Sequence, residues 1–143
     1  MKPLYIFSAI LFTISLSIGL SERVRDNIRS ALLPNQSKVL SVIRTVQIKD
    51  DLIVDIYKIK EQSGIIVKFI NATTGEHFQT FSLQDSWDGY YLVNGRNTNL
   101  FLNDVDNDQS LEILAPTFTQ NLEARLHVLK YDSASNNFLP FPF

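Results

Sequence analysis

Acidic side chains are concentrated in one short segment of this 143-residue chain, Asn103-Asp-Val-Asp-Asn-Asp-Gln-Ser-Leu-Glu112. Hard cations such as calcium bind about six to eight oxygen ligands, mostly carboxylates and backbone carbonyls. Alternating aspartates in a tight loop can direct their carboxylates to one point, and a backbone carbonyl and a closing glutamate can complete the shell. The spacing therefore predicts a calcium site made by Asp104, Asp106, Asp108, the carbonyl of Ser110, and Glu112. The alternative is a solvated acidic turn in which Asp and Asn side chains bond their own backbone.

No other segment carries a recognisable catalytic pattern. The sequence contains no Gly-x-Ser-x-Gly, no Walker-type loop, no His-Glu-x-x-His and no Gly-x-Gly-x-x-Gly. The chain has no cysteine, which excludes disulfides, thiol catalysis and thiolate metal sites. Its histidines are His77 and His127, and His127 falls in an alternating strand pattern that indicates a surface position. We therefore predict that the protein is not an enzyme, and a secreted hydrolase is the least favoured hypothesis.

The elements that must position the acidic segment are predicted to be short strands. From Lys38 onward, alternating or continuous apolar runs are separated by turn residues at 71–75, 85–89 and the dipeptide Asn94-Gly95. Aromatic residues at alternating positions are expected to supply most of the core area. The pattern predicts an all-β, antiparallel meander over residues 38–143. The predicted strands are 39–48, 52–59, 65–70, 77–83, 90–93, 100–102, 111–115, 126–131 and 138–141.

Two stretches repeat the same order of elements. Leu52 and Leu111 begin equivalent strands at an offset of 59 residues, and the later strands that begin at Ile65 and Leu126 are offset by 61. The acidic loop, the following Leu-Glu-Ile-Leu strand and the later Leu-Lys-Tyr-Asp132 strand resemble the FG-GAP/VCBS repeats of integrin-type β-propellers.

This resemblance covers residues 100–132, with a weaker echo over 48–75. It implies two propeller-blade-like repeats and a calcium ion held by side chains of Asp104, Asp106, Asp108 and Glu112 and by the backbone of Ser110. Where the family has two loop glycines this chain has Asn107 and Gln109.

The N-terminus carries an uncharged apolar run of 17 residues, Leu4 to Leu20, preceded by Lys2. This pattern predicts that residues 1–21 are a secretory signal peptide, which would make the protein secreted or periplasmic. The run also reaches the lower length limit of a membrane span, and arginines follow it from Arg23 onward. A retained membrane anchor through residues 4–20 is therefore the alternative.

A short helix and linker are predicted over residues 22–37. Val24, Ile28 and Leu32 recur at four-residue spacing, which is the period of one helix face. Pro34 then ends the pattern. The domain organisation is thus a signal or anchor, a short helix, and a β-rich domain over 38–143.

Composition narrows the classes of partner. The formal net charge of −2 gives no basic footprint for nucleic acid. Residues 85–99 are rich in Trp, Tyr, Asn and Gly, and we predict that Trp87, Tyr90 and Tyr91 contact a protein or carbohydrate. The leading hypothesis is an exported, non-enzymatic binding or adhesion-type module stabilised by one calcium ion. The alternative is a small secreted or periplasmic inhibitor or accessory subunit that binds a protein partner without metal, and exposed strand edges also suit self-association.

Overall fold

The computed structural model describes residues 37–49, 51–93 and 95–142, and every regular element in these ranges is a β-strand. The prediction of an all-β, antiparallel domain is confirmed for them. Residues 1–21 and nearly all of the predicted helix and linker lie outside them. In the described part of the chain, no helix is long and apolar enough to cross a membrane. The strands are β1 (Lys38–Lys49), β2 (Leu52–Glu61), β3 (Gly64–Asn71), β4 (His77–Ser82), β5 (Trp87–Asp88), β6 (Tyr91–Val93), β7 (Arg96–Thr98), β8 (Phe101–Asn103), β9 (Glu112–Phe118), β10 (Ala124–Asp132) and β11 (Asn137–Pro140).

The strands form two larger sheets whose order largely follows the sequence. The first sheet has the order β1-β2-β3-β4, and every neighbouring pair is antiparallel. In the second sheet β9, β10 and β11 are neighbours, while β5 and β8 share the remaining edge of β9. Sequential four-stranded meanders are also the strand arrangement of propeller blades, and the assignment as blades stays a prediction.

The edge strand of the second sheet is split by an inserted hairpin. Trp87 pairs with Phe118 at one end of β9, whereas Asn103 pairs with Glu112 at the other. Between them the chain leaves the sheet and forms the β6–β7 hairpin. Gly95 has a φ of +76°, the left-handed conformation that a tight turn requires. The turn predicted over 85–89 is therefore wrong at residues 87–88, which pair with β9 because Gly89 lets the two backbones come close.

The core follows from period-two alternation in β2 and β3. Successive side chains of a strand point to opposite faces, so Val54 and Ile56 share one face of β2, and Ile65, Val67 and Phe69 share one face of β3. All five are fully buried. They form one cluster with side chains of the second sheet, including Ile113, Leu129 and Phe138.

The aromatic contribution to the core is smaller than predicted. Among the described residues, Phe69 and Phe138 are the fully buried aromatic side chains, and their rings stack with centroids 4.0 Å apart. Trp87 is 55% exposed and Tyr90 is 65% exposed. Both lie on or beside the split edge, outside the space between the sheets, so aliphatic side chains fill most of the core.

Candidate functional site

The acidic loop connects β8 to β9. Pairing of Asn103 with Glu112 closes it at the base, so the intervening residues form one compact turn. Carboxylate oxygens of Asp104, Asp106 and Asp108 all lie within 4.8 Å of one another. The predicted convergence of these three aspartates is therefore confirmed, and such a group can hold a metal ion.

Backbone N–H groups of the loop donate hydrogen bonds to some of these carboxylate oxygens. Asp104 Oδ2 accepts a hydrogen bond from Gln109 N at 3.0 Å, and Asp108 Oδ1 accepts one from Ser110 N at 2.8 Å. Ser110 thus donates its backbone N–H to a hydrogen bond within the loop. Its predicted role as a carbonyl ligand stays a prediction. Asn107 and Gln109 have φ values of +59° and +72°. Both residues are therefore in the left-handed conformation that favours glycine.

Sequence reasoning missed the cation of this loop, Lys130 on β10. Its Nζ lies 2.5 Å from both Asp106 Oδ2 and Asp108 Oδ2. Leu129 pairs with Ile113, so Lys130 and Glu112 come next on neighbouring strands. Hydrogen bonds to Asp106 and Asp108 raise the pKa of Lys130, and the bond from Lys130 lowers the pKa of Asp108 to about 2. Lys130 is brought beside the loop by the pairing register of β9 and β10, so a local sequence pattern could not identify it.

Glu112 lies at the base of the loop and is fully buried. Its Oε2 accepts a hydrogen bond from Val105 N at 2.8 Å, which fixes the start of the loop to the start of β9. Its Oε1 has no hydrogen-bond partner among the described residues and lies 3.2 Å from Lys130 Nζ. The predicted ligand Glu112 is thus directed at the same point as Asp106 and Asp108.

A second polar cluster surrounds Asp85, which follows β4. Its Oδ2 accepts a hydrogen bond from Thr117 Oγ1 at 2.6 Å and lies 2.6 Å from His127 Nε2, while Arg125 Nη1 lies 3.4 Å from Oδ1. Burial alone would raise the pKa of Asp85, but the bonds from Thr117 and His127 outweigh burial and lower it. His127 was predicted at the surface; instead it is partly buried against Asp85. No hydroxyl among the described residues is hydrogen-bonded to this imidazole.

A buried lysine forms the third polar cluster. Lys58 Nζ donates to Asn99 O at 2.8 Å and to Pro116 O at 2.5 Å, and it lies 2.6 Å from Asp88 Oδ1. Asn99 Nδ2 also donates to Asp88 Oδ2 at 2.7 Å. Desolvation lowers the pKa of Lys58, against the opposing effect of Asp88. The network joins the middle of the first sheet to β9 and to the split edge of the second.

The comparisons with known proteins give no relative for this arrangement. No family model, no curated protein and no solved structure matches the chain. The resemblance to FG-GAP/VCBS repeats accordingly stays a prediction. The function is therefore inferred from the geometry of the site.

Trp87, one of the predicted binding residues, lies at the far end of β9 from the acidic loop. Trp87 pairs with Phe118, the last residue of β9, whereas the loop ends at Glu112, the first. At roughly 3.3 Å per residue, these positions are about 20 Å apart along the strand. Tyr91 packs its ring edge-on against Phe101, with centroids 5.9 Å apart. Trp87, Tyr90, Tyr91, Leu92 and Val93 are all exposed, and we call them the aromatic surface.

A cleft of about 240 Å³ adjoins the second half of the acidic loop. Its lining includes Gln47, Gln109, Ser110 and Tyr131, and it contains no residue of the aromatic surface. Pockets that enclose drug-sized ligands have volumes of roughly 300–1,000 Å³, so this cleft is smaller than such a pocket. The aromatic surface therefore does not line this cleft.

Proposed function

We propose that this chain is an exported, non-enzymatic binding module that recognises a protein partner through the aromatic surface. The observation that carries the proposal is the exposure of Trp87 and Tyr90 on a backbone segment that buried groups hold from inside. Large exposed apolar side chains cost solubility, and groups of them commonly mark interaction sites. Rigid aromatic side chains are also the residues that contribute most to binding energy in protein interfaces.

The segment beneath the aromatic surface is anchored on both sides of Trp87. Asp85 is held by Thr117 and His127, as described above, and Lys60 Nζ donates to Ser86 O at 2.5 Å. Asp88 is bound by Lys58 and Asn99. Because these contacts fix the backbone before a partner arrives, binding through Trp87 loses little conformational entropy.

The chemistry of the aromatic surface favours a protein over a small ligand. Its members contribute apolar area with no charged side chain of their own, and Leu92 is 71% exposed. Depletion of charge and enrichment of Trp and Tyr are typical of the central part of protein interfaces. Carbohydrate is the second candidate, since the same rings can stack on sugar faces.

Photo-crosslinking in the cells that produce the protein tests this proposal. A benzophenone amino acid at Tyr90 should give a discrete protein adduct that is lost when Trp87→Ala is added. The same probe at Ser135, an exposed turn residue, should not give it. Absence of an adduct at Tyr90, or the same adduct from both positions, would contradict the proposal. Trp87 is the single tryptophan, so its fluorescence reports directly on added glycans and tests the carbohydrate candidate.

Calcium bound by Asp104, Asp106, Asp108 and Glu112, with the carbonyl of Ser110, is the proposed stabiliser of the module. What supports it is the convergence of the aspartates together with the buried Glu112 carboxylate. Free ion at about 100 times its dissociation constant would stabilise the fold by roughly 2.7 kcal/mol, or a shift in Tm on the order of 10 °C.

The test compares the Tm of the full chain in calcium, magnesium and chelator. Asp106→Ala should abolish the calcium shift, and Asp51→Ala, which removes an exposed turn carboxylate, should preserve it. No calcium shift in a folded sample would remove the ion from the proposal. The remaining candidate would be the metal-free inhibitor or accessory subunit, whose crosslinked adduct forms equally well in chelator. Sedimentation over a range of concentrations separates self-association from capture of another protein.

A further inference from the structure

The ammonium group of Lys130 lies where a divalent cation would have to bind. Loop amides occupy both oxygens of Asp104 and one oxygen each of Asp106 and Asp108. The oxygens that remain are Asp106 Oδ2, Asp108 Oδ2 and Glu112 Oε1. Lys130 Nζ lies 2.5 Å, 2.5 Å and 3.2 Å from them, respectively.

Glu112 gives independent reason to expect a second kind of ligand at this point. Its side chain is fully buried, and Oε1 makes no well-directed hydrogen bond to another described residue; its contact with Lys130 Nζ, at 3.2 Å, is an ion pair. A buried carboxylate oxygen without a hydrogen bond is costly. A metal ion, unlike an N–H group, imposes no donor direction and can satisfy such an oxygen.

We propose that Lys130 is the resident cation of the acidic loop and that calcium binds there only by displacing it, an inference that rests on the calcium site proposed above. One ammonium leaves the four carboxylates of Asp104, Asp106, Asp108 and Glu112 undercompensated, so a divalent ion still gains by entering. A tethered group competes at high effective concentration. The apparent affinity for calcium is therefore the intrinsic affinity reduced by the fraction of molecules in which Lys130 has moved away.

Lys130→Met is the variant that isolates this competition. It removes the charge while keeping an unbranched apolar side chain beside Phe141, whose ring centroid lies 5.2 Å from Lys130 Nζ. Calcium titration of the full chain by calorimetry should show binding at least about tenfold tighter than in the unaltered protein. Lys130→Arg retains the charge and should bind as weakly as the unaltered protein. Lys38→Met, at an exposed strand start, should also leave the affinity unchanged.

Chemical labelling provides a second measurement that needs no variant. Amine acetylation of the unaltered chain, followed by mass spectrometry, should label Lys130 several-fold faster in calcium than in chelator, because displacement frees its ammonium. Lys38 should react at the same rate in both. Calcium binding with equal affinity in all variants, or without faster labelling of Lys130, would overturn displacement while leaving the ion site intact. If the calorimetric titration shows no heat of calcium binding for any of these proteins, the calcium site itself would be overturned.

Discussion

His127 Nε2 lies 2.6 Å from Oδ2 of Asp85, a carboxylate that is 2% exposed. The contact joins the two sheets. His127 belongs to β10 of the second sheet, whereas the carbonyl of Asp85 accepts a hydrogen bond from Ile65 N of the first at 3.0 Å. A buried carboxylate with several donors is stable only while those donors remain in place, so this residue offers a direct test of how the sheets are held together.

Asp85→Asn should lower the free energy of unfolding by about 1.5–3 kcal/mol, the usual contribution of a hydrogen bond to a charged group. The amide can still accept from Thr117, but it loses its charge interaction with His127 and Arg125. Urea denaturation measures the change. Asp51→Asn, at an exposed turn position, is the control and should be neutral. Equal stability of the two variants would show that Asp85 does not hold the sheets.

Acid should destabilise the domain over a defined range. The pKa of Asp85 is lowered in the folded state, and that of Asp108 is lowered to about 2. Groups with depressed folded pKa values bind fewer protons when folded, so their stabilisation is complete above their ordinary pKa of about 3.9 and is lost as pH falls through the folded value. The free energy of unfolding, from urea curves between pH 6 and pH 2, should therefore decline below about pH 4. Asp85→Asn should decline less steeply, and an unchanged slope would contradict the assignment.

Gly89→Ala should destabilise the fold by about 1–3 kcal/mol through overpacking. A Cβ at Gly89 would lie 2.8 Å from the backbone of Pro116 and Thr117, and backbone atoms of a paired strand cannot move aside easily. Gly75→Ala is a useful contrast, because nothing lies within 4 Å there but φ is +75°. It should lose about 1 kcal/mol from backbone strain. Thermal denaturation separates the two, and a neutral Gly89→Ala would mean that β5 sits farther from β9.

Lys58→Met should lower the free energy of unfolding by about 2–3 kcal/mol, because it leaves the partly exposed carboxylate of Asp88 without its cation and two carbonyls without their donor. Asp88→Asn added to Lys58→Met should recover part of the loss, since the orphaned charge is then removed. A double-mutant cycle in urea measures this coupling. Additive effects of the two changes would contradict a direct ion pair.

Gln109→Gly should stabilise the acidic loop by up to about 1 kcal/mol. The left-handed φ of +72° costs a side chain roughly 1–2 kcal/mol, and the added freedom of glycine in the unfolded chain offsets part of that gain. Gln47→Gly, in the interior of β1, should instead destabilise. Both changes can be compared by Tm, and a destabilised Gln109→Gly would show that the Gln109 side chain makes a contact worth more than the relieved strain.

Local patterns were enough to predict most strands and turns, but they missed β5 and β7. Alternation in β2 and β3, and the Asn94-Gly95 dipeptide, act over a few neighbouring residues and identify elements without knowledge of their partners. The convergence of Asp104, Asp106 and Asp108 was predictable for the same reason, since all three belong to one short loop.

What only the tertiary structure decided was which distant groups meet. Lys130 reaches Asp108 across 22 residues, and His127 reaches Asp85 across 42. Such contacts depend on strand register and on which faces of two sheets come together, and neither is encoded in a local period. The sequence by itself therefore determined an antiparallel β domain with one acidic loop. Packing decided that Lys130 lies against the acidic loop, that a contact between buried Asp85 and partly buried His127 joins the sheets, and that Trp87 is exposed on an anchored strand.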